Sequence, residues 1–227
     1  MTGMRTAVLT DNREFSIEER PVPSPGPDEV LVAIEHVGIC GSDVHFYKEG
    51  HIGEVRVEYP FVLGHESAGH IVETGVDVTE FDPDDPVAIE PGVPCGRCRF
   101  CRAGDYELCP RIEFMASPPD DGALTEYVSW PAEFVYPLPE RMSTREAALC
   151  EPLSCGIHTV RMGGVGMGDP VFVTGSGPIG ILALAAADAA GASDLLITGR
   201  HDEKLAVAEA LGADRTINVR EEAAMDV

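Results

Sequence analysis

Over residues 1 to about 140, apolar and polar positions alternate in short runs. They are Thr6–Leu9, Val30–Val37, Gly69–Val72, Val87–Ile89 and Leu124–Trp130. A period of two puts successive side chains on opposite faces of an extended chain. Turn-rich stretches such as Pro21–Pro27 and Asp82–Pro86 separate the runs. The pattern predicts short strands of a barrel or sandwich. It changes near Ser143, where Ser143-Thr-Arg-Glu146 spells a capping box and predicts a helix toward Ala147 and Leu149. From Val171 the period lengthens. Strands are expected at 171–174, 195–198 and 215–219, with helices at 178–190 and 203–211. Such βαβαβ alternation implies a parallel sheet.

Composition narrows the function classes. The 227 residues allow one large domain or two small ones. With 44% hydrophobic and 24% charged residues the chain is a globular one. Acidic residues outnumber basic ones 39 to 16, for a net charge of -23, and the lysines are Lys48 and Lys204. That excludes the basic footprint of a nucleic-acid partner and of an anionic membrane surface. The acids are dispersed along the chain, which suits a halophilic protein whose self-repulsion is screened by salt. No run reaches the roughly 18 apolar residues of a membrane span. The longest, Ile179–Ala190, contains Asp188, and the N-terminal stretch lacks the apolar core of a signal peptide. The expected location is cytoplasmic. In that reducing setting the seven cysteines are expected as metal ligands or core residues rather than disulfides.

Gly175-Ser-Gly177-Pro178-Ile179-Gly180 follows a predicted strand and opens a predicted helix. In that context a G-x-G-x-x-G cradles the pyrophosphate of a dinucleotide on backbone N–H groups and the positive end of the helix. Where an NAD site places an acid at the end of the second strand, this chain has Gly199 and then Arg200. Gly199 leaves room for a 2′-phosphate, Arg200 can grip it, and Lys204 lies one helical turn on. NADP is therefore expected over NAD. Cys95-x-x-Cys98-x-x-Cys101, with Cys109 eight residues on, offers four thiolates at a spacing that closes a tetrahedron around a structural zinc. Cys40-Gly41-Ser42-Asp43 and Gly64-His65-Glu66 carry a thiolate, an imidazole and two carboxylates, the material of a catalytic zinc site with an open position. Spacing alone does not choose the third ligand between Glu66 and Glu151.

These stretches, with Ser117–Val128 (SPPDDGALTEYV) and Glu151–His158 (EPLSCGIH), make the chain resemble the zinc-dependent medium-chain alcohol and polyol dehydrogenases, most closely the sorbitol/xylitol branch. The resemblance implies an α+β two-domain architecture. A GroES-like β-barrel over 1–150, with its structural-zinc lobe at 91–112, precedes the first half of a Rossmann doubly wound parallel sheet over 151–227. It makes Cys40 and His65 ligands of a catalytic zinc, Glu66 a third ligand or a close neighbour, and Glu151 a ligand directly or through water. Ser42 would relay the alcohol proton and His45 extend that relay. Asp43 would orient the His65 imidazole, and Phe46 and Phe114 would line the substrate pocket. Hydride would pass from a small-molecule polyol to NADP or NAD, in a homo-oligomer, often a tetramer in the family.

Two features depart from that pattern. Only the first βαβαβ half of a dinucleotide fold is present, so about a third of a full-length member is expected to be missing, as in a fragment, a frameshifted gene or one part of a split enzyme. Asp82–Pro86 replaces a basic turn, as acidic surface drift or decay. The alternatives are threonine 3-dehydrogenase-type oxidation of an alcohol, and a non-catalytic remnant that binds zinc and nucleotide. The histidines at 36, 51, 70, 158 and 201 match no ligand motif and are expected on the surface or in packing. Cys150 and Cys155 are expected as buried apolar residues.

Overall fold

The computed structural model describes residues 3–221. They form two compact units, one running through Glu151 and the other starting at Pro152.

The first unit is antiparallel. Its main sheet has five strands in the order Tyr127–Pro131, Glu29–Gly38, Glu66–Thr74, Pro86–Ile89 and Val135–Pro137. The central pair sets the register: Val32 lies opposite Ile71, and Gly38 opposite Glu66. Alternate residues of these strands point inward, so Val30, Val32, Ile71, Val87 and Ile89 join Met115 and Val135 in one core. A second sheet orders Glu14–Arg20, Met4–Asp11 and Phe61–Val62. The helix Gly41–Glu49 packs Phe46 beside Leu9, Phe61 and Leu63.

The run expected as a strand from Leu124 begins pairing with Glu29–Gly38 only at Tyr127. The residues before it are drawn elsewhere: the Leu124 N–H donates to the Leu63 carbonyl, and the Leu124 carbonyl accepts from Ala7 N–H. Asp82–Pro86 forms a hydrogen-bonded turn. Asp85 accepts from the Asp82 N–H at 2.8 Å, and Asp84 and Asp85 exchange backbone bonds with Ile71. The Ser143–Glu146 capping box forms, each partner bonding the other's backbone N–H, and starts the helix Thr144–Ala147.

The second unit is parallel. Strands Pro170–Thr174, Ser193–Gly199 and Arg215–Asn218 lie side by side in chain order. The helices Pro178–Ala189 and Asp202–Ala210 connect them, and Leu184, Ala187, Leu205 and Ala208 close a core over Leu195 and Ile197. Cys150 packs beside Ala147 and Ala68, whereas Cys155 is exposed, contrary to expectation, because it falls on the outer face of Cys150–Met162. Among the described residues no helix is long and apolar enough to cross a membrane.

Candidate functional site

The first cluster is built where a helix and a strand begin. Cys40 is the N-cap of Gly41–Glu49, and Gly64-His65 leads into Glu66–Thr74. One carboxylate joins the two segments. Asp43, at the third position of the helix and 3% exposed, accepts the Cys40 N–H at 2.9 Å on Oδ2 and the Gly64 N–H at 3.0 Å on Oδ1. This corrects the expectation that Asp43 serves the imidazole. Its oxygen lies 4.0 Å from His65 Nδ1, too far for a hydrogen bond.

The donor atoms of Cys40, His65 and Glu66 all lie within 4.8 Å of one another. The Glu66 carboxylate reaches them across the strand pair because Gly38, directly opposite, has no side chain. A Cβ there would strike Glu66 Oε2. His65 is 6% exposed, its ring stands edge-on to Phe114 at 5.6 Å between centroids, and its Nδ1 has no hydrogen-bond partner among the described residues. Glu151, on the first turn of Cys150–Met162, is outside this three-donor group, yet His65 and Glu151 feel each other's charge.

The electrostatics are those of a crowded acidic shell. A hydrogen bond from His65 holds the Cys40 thiol below its ordinary pKa despite burial, and Ser42 adds to the effect. Burial opposes a charged His65, but Cys40, Asp43 and Glu151 outweigh it and raise its pKa. Glu66 and Glu151 are both raised, chiefly by burial, with His65 opposing the shift. An orphaned buried ring nitrogen beside a thiol and three carboxylates is a donor set that fits a divalent cation.

Two further expected participants lie on the Gly41–Glu49 helix. Phe46 is 4% exposed and stacks edge-on to Phe61 at 6.2 Å, so it packs in the core. His45 is on the open face of its helix, 62% exposed and 3.9 Å from Glu49.

The second cluster gathers Cys95, Cys98, Cys101 and Cys109, with Sγ atoms within 4.8 Å of one another. Cys98 and Cys101 are 3.4 Å apart, and the Arg111 guanidinium donates to Cys95 Sγ at 3.2 Å. Backbone N–H donors at Arg97, with help from Cys109 and Arg111, bring Cys95 down to about 6. Desolvation and the neighbouring sulfurs raise Cys101 to about 11. Four sulfurs cannot all ionise at neutral pH without a cation, so this donor set also fits a metal.

The glycine loop forms a cleft of about 310 Å³ lined by Gly175, Ser176, Gly177, Arg200, His201 and Lys204, among others. Gly175 turns with φ +106, a conformation that side chains disfavour. Gly177 caps the helix, Pro178 takes its first position, and Ile179 is exposed. Gly180 approaches the Gly175 carbonyl so closely that a Cβ would collide with it. Sequence reading missed His201 and Ser176 here. His201 adjoins Arg200 at the strand end, and Ser176 sits inside the loop motif, where the pattern leaves the residue open.

A family model described as the alcohol dehydrogenase GroES-like domain matches residues 26–140. Sorbitol dehydrogenase of Bacillus subtilis (strain 168) is 45% identical over 224 residues, covering 99% of this chain and 64% of that protein. Human sorbitol dehydrogenase is 44% identical over 94% of this chain and 60% of its own length. The chain thus spans less than two thirds of these relatives. Galactitol-1-phosphate dehydrogenase of Escherichia coli superposes with a TM-score of 0.90 at 32% identity, over 98% of this chain and 63% of that one. A structure from Sinorhizobium meliloti 1021, described as a zinc-binding dehydrogenase bound to NADP, superposes at 0.91 and 32% identity, over 100% and 65%. The antiparallel unit is the GroES-like barrel of this fold, and the parallel unit is a Rossmann half.

Proposed function

The chain belongs to the zinc-dependent alcohol and polyol dehydrogenases that carry this GroES-like domain, and from that premise we propose that it is the metal- and nucleotide-binding part of an enzyme oxidising a polyol of the sorbitol or xylitol type. The observation that carries the reading is the convergence of Cys40, His65 and Glu66, with Glu151 electrostatically coupled to them. These are the groups that would hold a catalytic zinc, while the four-cysteine cluster would hold a structural one. Zinc bound at the first site supplies Lewis acidity toward an alcohol oxygen. Ser42, hydrogen-bonded to the Cys40 side chain, would receive the alcohol proton, and His45, an exposed imidazole on the same helix, would extend that relay. Phe114 supplies an apolar wall beside His65. In the cleft, Gly175 to Gly180 would cradle the pyrophosphate, and Arg200 and Lys204 would favour NADP over NAD.

The test is turnover of the native gene product, zinc-loaded, in molar KCl. NADPH formation from sorbitol or xylitol supports the reading. Turnover of L-threonine alone redirects it to the threonine 3-dehydrogenase type. Zinc and nucleotide binding without turnover of any alcohol leaves the non-catalytic remnant.

A further inference from the structure

The nucleotide cleft contains a hydroxyl that the fold itself does not use. Ser176 is 5% exposed and lines the cleft between the first two glycines of the loop. Its Oγ has no hydrogen-bond partner among the described residues. Thr198, equally buried and also lining the cleft, differs: its hydroxyl accepts the Gly175 N–H at 3.2 Å. The Ser176 hydroxyl thus borders the cleft with no protein partner among the described residues, and a bound ligand can take its hydrogen bond.

That hydroxyl lies against Gly199. A Cβ at Gly199 would collide with Ser176 Oγ, and would lie 2.9 Å from Ser176 Cβ and 2.8 Å from Leu205 Cδ2. At Gly199 the Ser176 side chain occupies the space where a side chain would start. Arg200, His201 and Lys204 line the same cleft. A hydroxyl that can donate thus stands among cationic groups at the strand end, where an acid would otherwise bind ribose hydroxyls.

We propose that Ser176 determines cofactor specificity: its Oγ donates a hydrogen bond to the ribose 2′-phosphate of the bound dinucleotide, and it forms with Gly199 a pair that sterically excludes an acidic side chain at 199. The inference rests on the dinucleotide reading above and adds the residue that enforces it. A hydrogen bond to an anion is among the stronger ones, and the Ser176 hydroxyl breaks no hydrogen bond to another described residue to make it.

The test is calorimetric titration of the full chain with 2′,5′-ADP and with 5′-AMP, which differ in the 2′-phosphate. Ser176→Ala is expected to weaken 2′,5′-ADP about tenfold or more, to leave 5′-AMP within about twofold, and to leave the melting temperature unchanged. Gly199→Asp alone is expected to bind both probes poorly, and Gly199→Asp with Ser176→Gly to recover 5′-AMP. Arg200→Ala separates the two levels of the argument. If it weakens 2′,5′-ADP while Ser176→Ala does not, the role of Ser176 is overturned and the NADP reading stands. If the unmodified chain binds neither probe, the dinucleotide reading falls and takes this inference with it. If Gly199→Asp alone binds 5′-AMP as well as the double variant, the mutual exclusion is wrong.

Discussion

Replacing Asp43 by Asn tests whether one carboxylate holds the two ligand-bearing segments in place. The wild-type oxygens accept the Cys40 and Gly64 N–H groups at 2.9 and 3.0 Å from a side chain that is 3% exposed. Hydrogen bonds to a charged acceptor contribute about 1.5–3 kcal/mol each, and neutral ones about 0.5–1.5. Asn keeps one acceptor at neutral strength and turns an amide donor toward the other N–H. The loss is therefore about 3 kcal/mol, from one weakened bond and one broken bond. For a chain of this size each kcal/mol lowers Tm by about 2–4 °C, so the variant should melt roughly 6–12 °C lower. Stability alone would not separate tethering from ordinary core damage. Cobalt titration does, because thiolate-bound cobalt absorbs in the visible and the two clusters can be followed separately. The Cys40 site should lose about tenfold or more in affinity while the four-cysteine site is unchanged. A variant that melts within about 2 °C of the parent and binds cobalt equally at both sites would refute the tether.

Arg111→Ala removes the guanidinium 3.2 Å from Cys95 Sγ and should weaken zinc at the four-cysteine cluster about tenfold, read by competition with a chromogenic chelator. Tyr136, raised to about 12 by burial and by its 2.8 Å bond to Glu90, should ionise late in an ultraviolet titration, and Glu90→Gln should bring it down toward an ordinary phenol. Because the folded pKa lies above the unfolded one, this tyrosine's contribution to stability is complete below about pH 10 and is lost as pH rises toward about 12. The net charge of -23 predicts a Tm that climbs steeply with KCl, since the Debye length contracts to about 3 Å at 1 M; a flat salt dependence would sink the halophilic reading.

What the sequence disclosed was local. The alternation at Val30–Val37 located the strand Glu29–Gly38 to within a residue, and the apolar run from Pro178 located its helix equally well. The helix Gly41–Glu49 escaped because it buries only Asp43 and Phe46, too few for an apolar stripe. Cys150–Met162, which no apolar period was used to predict, contains Pro152 and Gly156. Pro152 sits within the first turn, where its missing N–H costs little, and Gly156 is there because Leu182 backbone lies against it. Phe46 was assigned to the pocket from a motif, and a motif does not say which side of a helix faces the core.

The chemistry was legible in residue types and illegible in roles. Asp43 stands three residues after Cys40 and 22 before His65, so its sequence position suits a bond to either ligand's side chain or backbone. Only the fold decides, and it spends both oxygens on N–H groups. Among the described residues, that leaves His65 as the cationic side chain against the Cys40 sulfur and the carboxyls of Asp43, Glu66 and Glu151. Burying several negative charges against one positive charge is unfavourable unless protons or a metal cation make up the difference. The raised pKa values of Glu66 and Glu151 are the proton solution. A divalent cation is the other, and it displaces those same protons. The acids crowded around His65 are thus consistent with one another only as a site whose charge is completed from outside the chain.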